Sequence, residues 1–170
     1  MPIERIDSLE IADVRKILLR RSNDSRGSFA EMYKESDFKT HGLPTVWRQD
    51  NFSFTAKKNV FRGLHFQAPP HAQAKLVQVI TGAVLDVIVD IRLGSSTFGQ
   101  ACSVELSEEK GVAVFVPEGF AHGFLTLTDE VRIHYKVTSE YAPEAEGGLA
   151  WFEPKLKHLF AGVEKVLTSD

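Results

Sequence analysis

The sequence predicts an all-β chain folded as an antiparallel sandwich or barrel. Three observations carry this. Short segments rich in β-branched and aromatic residues recur at close, regular spacing; Gly, Pro, Asn and Asp stand at the junctions; and very little of the chain has the 3.6-residue period of an amphipathic helix. At 170 residues, with 43% hydrophobic and 25% charged residues, the chain has the size and balance of one folded domain spanning 1–170 rather than of a disordered segment.

Val14 to Arg20 reads as the first strand, closed by the turn chemistry of Asn23-Asp24-Ser25. Arg26-Gly27 then opens a second strand over Ser28 to Tyr33. Ser36 is placed to cap a short helical turn over Asp37 to Thr40, which His41-Gly42 and Pro44 bring to an end. Trp47 to Phe54 is extended and carries Gln49-Asp50-Asn51 between aromatics, the pattern of a solvated edge. The stretch from Arg62 to Gly82 sets an Arg, two His and a Lys just ahead of an apolar hairpin. Within it Lys75, Val77 and Val79 share one side of a strand, so a cation lies in line with core-facing residues. An inward ammonium is costly unless it has a task; the ordinary alternative is a Lys at the strand's mouth with its head in water.

After Gly82 the pattern alternates strictly. Leu85, Val87, Val89 and Ile91 take one face, and Val84, Asp86, Ile88 and Asp90 take the other, so two acids share a face with two aliphatics. Gly94-Ser95-Ser96 is a turn, Val104 to Leu106 a short strand, and Val112 to Val116 another that Pro117-Glu118-Gly119 stops. Phe124 to Leu127 follows. In Val131 to Val137 the residues Val131, Ile133, Tyr135 and Val137 face inward while Arg132, His134 and Lys136 face out. The tail differs: Leu156, Leu159, Phe160, Val163, Val166 and Leu167 fall at helical spacing and predict a small closing helix, against which Gly162 counts.

A net charge of −3 with scattered Lys and Arg argues against a nucleic-acid surface and leaves small anions as partners. Cys102 is the only cysteine, which excludes an internal disulfide and a thiolate metal site and fits a reducing cytoplasm. The first residues carry acids where a signal peptide needs basic and then apolar ones, and no apolar run reaches membrane-spanning length. The expectation is a cytoplasmic protein with no membrane association.

Gly63, His71, Gly82 and the later Pro117, Gly119 and His122 together resemble the two motifs of the cupins, a jelly-roll or double-stranded β-helix barrel superfamily. At the metal-ligand positions of the first motif, however, stand Pro69, His71 and Lys75, so an ammonium replaces a carboxylate and two of four ligands are lost. This implies a metal-free cupin that needs no cofactor. The runs RGLHFQ (62 to 67), PPHAQAKLV (69 to 77), DVIVDIR (86 to 92), STFG (96 to 99), VPEGFAHGF (116 to 124), the spaced YKVT and Tyr-x-Pro of 135 to 143, D.RG.F.E (24 to 31) and QDN (49 to 51) resemble the dTDP-4-dehydrorhamnose 3,5-epimerases. The likeness runs from Ile17 to Pro154.

That resemblance implies an isomerase that takes a proton from carbon beside a ketone and returns one on the other face of the sugar. It places His65 as the base, Lys75 as the cation beside the developing enolate oxygen, Tyr135 as the acid, and Asp170 as the partner that orients His65. Arg62, His122 and Tyr141 match substrate-binding or supporting positions, and Gln49 and Asn51 match contacts to the nucleotide. Arg26 and Glu31 lie in the D.RG.F.E run, and Arg26 matches a basic position near the diphosphate that can reach a neighbouring subunit's site. Asp86 and His122 are expected to pair inside the barrel. From the residues alone, a lone His in a strand such as His65 is more often structural, and a core phenol with a satisfied hydroxyl is an ordinary reading of Tyr135. The tail departs from the family: Trp151-Phe152-Glu153-Pro154 stands for Trp-Asn-Asp-Pro, and Asp170 is the final residue, which opens the reading that only one carbon, C3 or C5, is inverted. Two other readings stay in play, a metal-dependent cupin using His71 and His122, and a sugar-nucleotide binding module without activity. The edges of a roll of short strands need cover, so a homodimer is expected in which strands within Val14 to Tyr33 extend a neighbour's sheet.

Overall fold

The computed structural model describes residues 2–160 and 166–168. Its strands are β1 (Ile3–Ser8), β2 (Arg15–Leu19), β3 (Arg21–Asp24), β4 (Gly27–Ala30), β5 (Gln49–Thr55), β6 (Phe61–Gln67), β7 (Lys75–Thr81), β8 (Ala83–Asp90), β9 (Ala101–Ser107), β10 (Val112–Val116), β11 (Phe120–Thr126), β12 (Val131–Val137) and β13 (Glu146–Gly148), with one short helix, α1 (Glu35–Thr40). All pairings between these strands are antiparallel. They form a six-stranded sheet in the order β1-β2-β10-β7-β12-β5, a five-stranded sheet in the order β13-β6-β11-β8-β9, and a separate β3-β4 hairpin. This is the jelly-roll architecture that the alternating pattern and the cupin motifs predict. Among the described residues no helix is long and apolar enough to cross a membrane.

The period-2 patterns decide which side of each strand is inside. Val77, Val79, Val84, Ile88, Val104, Val114, Val131 and Ile133 from both sheets meet in the core between them. The face of β8 that carries the two acids is therefore the inner one. Its other face, Leu85, Val87 and Val89, is covered by Leu156 and Phe160 of the C-terminal segment. The outer side of the large sheet is closed by Phe38 of α1 and by Leu43, against Ile17, Leu76, Ala113 and Phe115. Both sheets are thus apolar on both faces, which explains why so many strand residues are buried.

The structure corrects several element boundaries. β1 and β3 are absent from the expected list: β3 is polar and exposed throughout, and β1 buries only Ile3, with Ile6 and Asp7 half-buried, without a strict alternation. The turn of the β3-β4 hairpin is Ser25-Arg26, and β4 stops at Ala30, short of Tyr33. Helix α1 starts ahead of Ser36: Lys34 is the N-cap residue and makes no side-chain cap bond. β9 is longer than expected, and β11 begins at Phe120 directly after the Pro117–Gly119 turn. The closing helix is not formed as predicted. Pro154–Phe160 is a run of 3-10 turns, residues 161–165 lie outside the description, and Leu167 instead makes a parallel bridge to Val60. Its backbone is held by Asn59 and Phe61, which a helical Leu167 could not reach.

Asp90, half of the acid pair on β8, is fully buried and anchors the loop that follows. Its carboxylate accepts from Arg92 Nη2 at 2.7 Å, Ser95 Oγ at 2.6 Å, Thr97 Oγ1 at 2.6 Å and the Arg92 backbone N–H at 2.9 Å. Arg92 in turn bonds Asp13 at 2.8 Å and lies 4.4 Å from the centroid of Phe120. The Arg92 guanidinium holds the Asp90 carboxyl well below the usual carboxylate range, with the hydroxyls of Ser95 and Thr97 helping. A depressed carboxyl contributes stability that is complete above the ordinary carboxylate pKa and is lost as pH falls through and below it. Asp90→Asn is expected to cost about 2–3 kcal/mol in a urea unfolding curve, since it leaves a partly buried guanidinium with only the exposed Asp13 as charge partner. A midpoint equal to wild type would remove Asp90 from this role.

Candidate active site

Between the two sheets lies a cavity of about 530 Å3. From the large sheet, Lys75 and Val77 on β7, Ile133 and Tyr135 on β12 and Ser53 on β5 line it; from the small sheet come Arg62 and His65 on β6 and His122 on β11. A second compartment of about 300 Å3 is lined by Gln49, Asn51, Gln67, Gln73, Tyr141 and Glu146. His65, Lys75 and Tyr135 line both compartments.

Strand register explains this convergence. On the large sheet Tyr135 sits opposite Asn51 and Val77, and Val137 opposite Gln49 and Lys75, so alternate residues of three neighbouring strands point the same way. On the small sheet His122 is directly opposite His65. The strands β6 and β11 come unusually close there. A Cβ at Gly123 would sit 2.6 Å from the Arg62 carbonyl, and one at Gly63 would sit 2.5 Å from the Gly123 Cα, so only glycines permit the approach.

Lys75 is 9% exposed, and its Nζ lies 3.4 Å from the His65 carbonyl oxygen. Burial lowers its pKa to about 8, opposed by the carboxylates of Asp86 and Glu146. The inward cation of the strand pattern is therefore real, and the alternative of a solvated Lys fails. His65 opens onto the cavity and titrates below the ordinary imidazole value, mainly through burial, with Lys75 and His122 adding to the effect and Glu146 opposing it. Burial raises the Tyr135 phenol above its ordinary value, offset in part by Arg62, so it stays protonated at neutral pH. His122 Nε2 meets both oxygens of the fully buried Asp86 at 2.9 Å, the pairing expected from phase and resemblance. Arg62 Nε donates to Thr55 Oγ1 at 2.9 Å, which aims the exposed guanidinium across the gap between the sheets.

Tyr141 and Gln49 are joined, the Tyr141 backbone N–H donating to Gln49 Oε1 at 2.9 Å while Gln49 Nε2 donates to Asn51 Oδ1 at 2.7 Å. Arg26 and Glu31 line neither compartment. Arg26 sits on the projecting hairpin, paired with Asp24 at 2.7 Å, and Glu31 follows it on the surface. Asp170 lies outside the described residues, although Thr168 lines the larger compartment. His71 also lines neither compartment and faces Glu144 at 3.7 Å, while His122 lines the larger one and is engaged by Asp86.

Ser53, Trp151, Phe152 and Glu146 are residues of the site to which the sequence alone assigned no role. Ser53 follows from the phase of β5 once its inner face is known. Trp151 and Phe152 pack edge to face at 6.0 Å beside the larger compartment and were noted only as a departure in the tail. Glu146 accepts from Tyr141 Oη at 2.6 Å, yet stands in the polar run Glu144-Ala145-Glu146-Gly147-Gly148, where no period distinguishes one acid from another.

The profile of the dTDP-4-dehydrorhamnose 3,5-epimerase family matches residues 8–170. A curated dTDP-4-dehydrorhamnose 3,5-epimerase from Sinorhizobium fredii is 46% identical over 149 residues, covering 88% of this chain and 76% of that one. Among solved structures, a dTDP-6-deoxy-D-glucose-3,5-epimerase from Legionella pneumophila in complex with dTDP-4-keto-L-rhamnose superimposes with a TM-score of 0.91 at 39% identity, covering 97% of this chain and 87% of the other. A 3'-monoepimerase from Streptomyces bikiniensis in complex with dTDP-quinovose gives 0.89 at 31% identity, covering 96% and 82%. A matching profile over nearly the whole chain, relatives of this identity, and a cavity in which His65, Lys75 and Tyr135 converge lead to one conclusion: the chain belongs to the dTDP-4-dehydrorhamnose 3,5-epimerase family.

Proposed function

We propose that this chain is a cofactor-independent epimerase that converts dTDP-4-dehydro-6-deoxyglucose to dTDP-4-dehydro-L-rhamnose by inverting C3 and C5 in turn. The observation that carries this reading is that His65 and Tyr135 come from opposite sheets and line the same cavity, which the buried Lys75 also lines. His65 takes the proton from the carbon beside the ketone, and the bonding pair moves into the C4 carbonyl as an enolate. Lys75 holds that oxygen by charge, in surroundings dry enough to make the interaction strong. The enolate pair then takes a proton from Tyr135 on the other face. Solvent reprotonates the phenolate and removes the proton from His65, so atoms and charge balance over the cycle. Arg62 and His122 hold the substrate, and Gln49, Asn51 and Tyr141 contact the nucleotide-sugar from the second compartment. Asp170 orients His65; the run of Leu167 beside Val60 and the place of Thr168 in the cavity wall support this reading.

Tyr135→Phe tests the assignment. The variant keeps ring shape and loses the proton, so His65 can still remove substrate protons and return them to the same face. The expected result, followed by proton NMR in D2O, is continued exchange of deuterium into substrate with inversion reduced by about 100-fold or more. Equal loss of both would place Tyr135 in binding, and unchanged inversion would return it to the core. The same experiment on wild type decides the second reading, an epimerase of one carbon, which the likeness to the 3'-monoepimerase favours: exchange then appears at C3 or at C5 alone.

The working unit is a cytoplasmic homodimer. The β3-β4 hairpin forms its own sheet with Phe29 70% exposed, and among the described residues β5 has an unpaired edge, with Phe52 on that strand 66% exposed. In a dimer the hairpin carries Arg26 and Glu31 to a neighbour's diphosphate and nucleotide, since neither lines the cavity of its own chain. Light scattering at micromolar concentration is expected to give twice the chain mass, and a monomer would contradict this.

A further inference from the structure

We propose that Phe152 is a specificity-determining residue: mounted on Trp151 at the wall of the larger compartment, it receives the methyl group of a 6-deoxy sugar and disfavours the same sugar with a hydroxyl at C6. The proposal rests on the function read above and deepens it. Backbone and aromatic packing together place the ring. Leu149 and Leu64 exchange backbone hydrogen bonds, the Leu149 N–H donating at 3.0 Å and the Leu64 N–H at 3.4 Å, so the segment leading to Phe152 is fixed beside β6, the strand of Arg62 and His65. Trp151 packs on the buried Phe160 at 5.7 Å and the buried Phe61 at 6.2 Å, and those two meet edge to face at 5.3 Å. Phe152 ends this chain of rings, edge to face on Trp151 at 6.0 Å and 62% exposed.

Single exposed apolar residues are ordinary on a protein surface. Phe152 differs because, among the described residues, it alone of the exposed large hydrophobic side chains lines the larger compartment. It also stands where the Trp-Asn-Asp-Pro pattern has Asn, so this apolar surface is a property of the present chain. The compartment has two kinds of wall: His65, Lys75 and Tyr135 supply charge and protons, while Leu149, Trp151 and Phe152 supply apolar surface from one continuous segment. In the reading above the nucleotide leaves C1 of the sugar toward the smaller compartment, which puts the C4 side of the ring in the larger one. The group flanking C4 that makes no hydrogen bond is the methyl on C5. It gains by meeting an apolar ring, whereas a hydroxyl there loses water without finding a partner. Because Phe152 stays partly open to solvent, the expected discrimination is about tenfold, below the roughly 100-fold that an enclosed apolar pocket reaches.

The experiment measures binding to the full-length protein by calorimetry, without turnover, using dTDP, dTDP-6-deoxyglucose and dTDP-glucose. The two sugars differ only in the oxygen at C6, and neither carries the ketone. Wild type is expected to bind dTDP-6-deoxyglucose about tenfold more tightly than dTDP-glucose. In Phe152→Asn that ratio is expected to fall to within about twofold of unity, through weaker binding of the 6-deoxy sugar, while the affinity for dTDP stays unchanged and reports an intact fold. Phe152→Leu keeps apolar surface and is expected to keep most of the preference. Equal binding of the two sugars by wild type, or a preference that Phe152→Asn leaves unchanged, overturns the proposal. So does a preference lost as fully in Phe152→Leu as in Phe152→Asn. In each of these cases dTDP still binds and the functional reading stands; failure of wild type to bind dTDP overturns that reading and this proposal with it.

Discussion

His65→Asn is expected to abolish deuterium exchange at both sugar carbons, a loss of about 1,000-fold or more in rate, while dTDP binding by calorimetry stays near that of wild type. Asparagine keeps a planar polar group of similar reach but accepts no proton at neutral pH. Arg62, Gln49 and Asn51, which hold the nucleotide in this reading, are separate side chains on β6 and β5 and are untouched by the change. The fold also has little at stake, because His65 opens onto the cavity rather than into packed core. Wild-type exchange in this variant would sink the base assignment. Lost dTDP binding together with lost exchange would show that His65 holds the ligand as well.

Lys75→Ala is expected to lower the rate by roughly 100-fold or more, the cost of removing a preorganised charge from a developing oxyanion. The same change is expected to raise stability. The folded state holds the ammonium at a pKa of about 8, below the unfolded value, so the charged form carries a penalty that is complete below pH 8 and relieved as pH rises toward the unfolded pKa. Loss of rate with gain of stability separates a working cation from a structural one, whose removal would cost both. The pH profile of kcat/KM follows with its signs. Activity falls on the acid side as His65, lowered from its ordinary value, gains a proton, and on the alkaline side as Lys75 loses its own near pH 8. An alkaline limb still present in Lys75→Ala would assign it to another group, and a rate loss of tenfold or less would make Lys75 a rim residue.

Much of this was readable from the order of residues, because a strand has a period of two and a half-buried sheet must respect it. The inward phases of Lys75, Tyr135 and Asp86 are visible in the alternation of β7, β12 and β8, and each is inward in the structure. What the period cannot supply is the partner. That Asp86 meets His122, 36 residues away, depends on the register of β8 against β11, and that register arises from packing across the whole sheet. Asp90 and Asp86 look alike on one strand face, yet one closes a loop onto Arg92 and the other supports the site.

The polar strands β1, β3 and β13 left no trace in the pattern because their partners, not their own side chains, make them strands. Glu146 was hidden for the same reason, since only the pairing of β13 with β6 brings it beside His65. The helical spacing of the tail misled because apolar residues can reach a covering face from 3-10 turns as well as from a helix, and the backbone of Leu167 is claimed by Asn59 and Phe61. The sequence by itself determined the fold class and the side chains that point inward, through local periodicity and turn chemistry. Only the tertiary structure decided which inward groups meet, because contacts between distant strands follow from sheet order and register, and neither is encoded in any single stretch of chain.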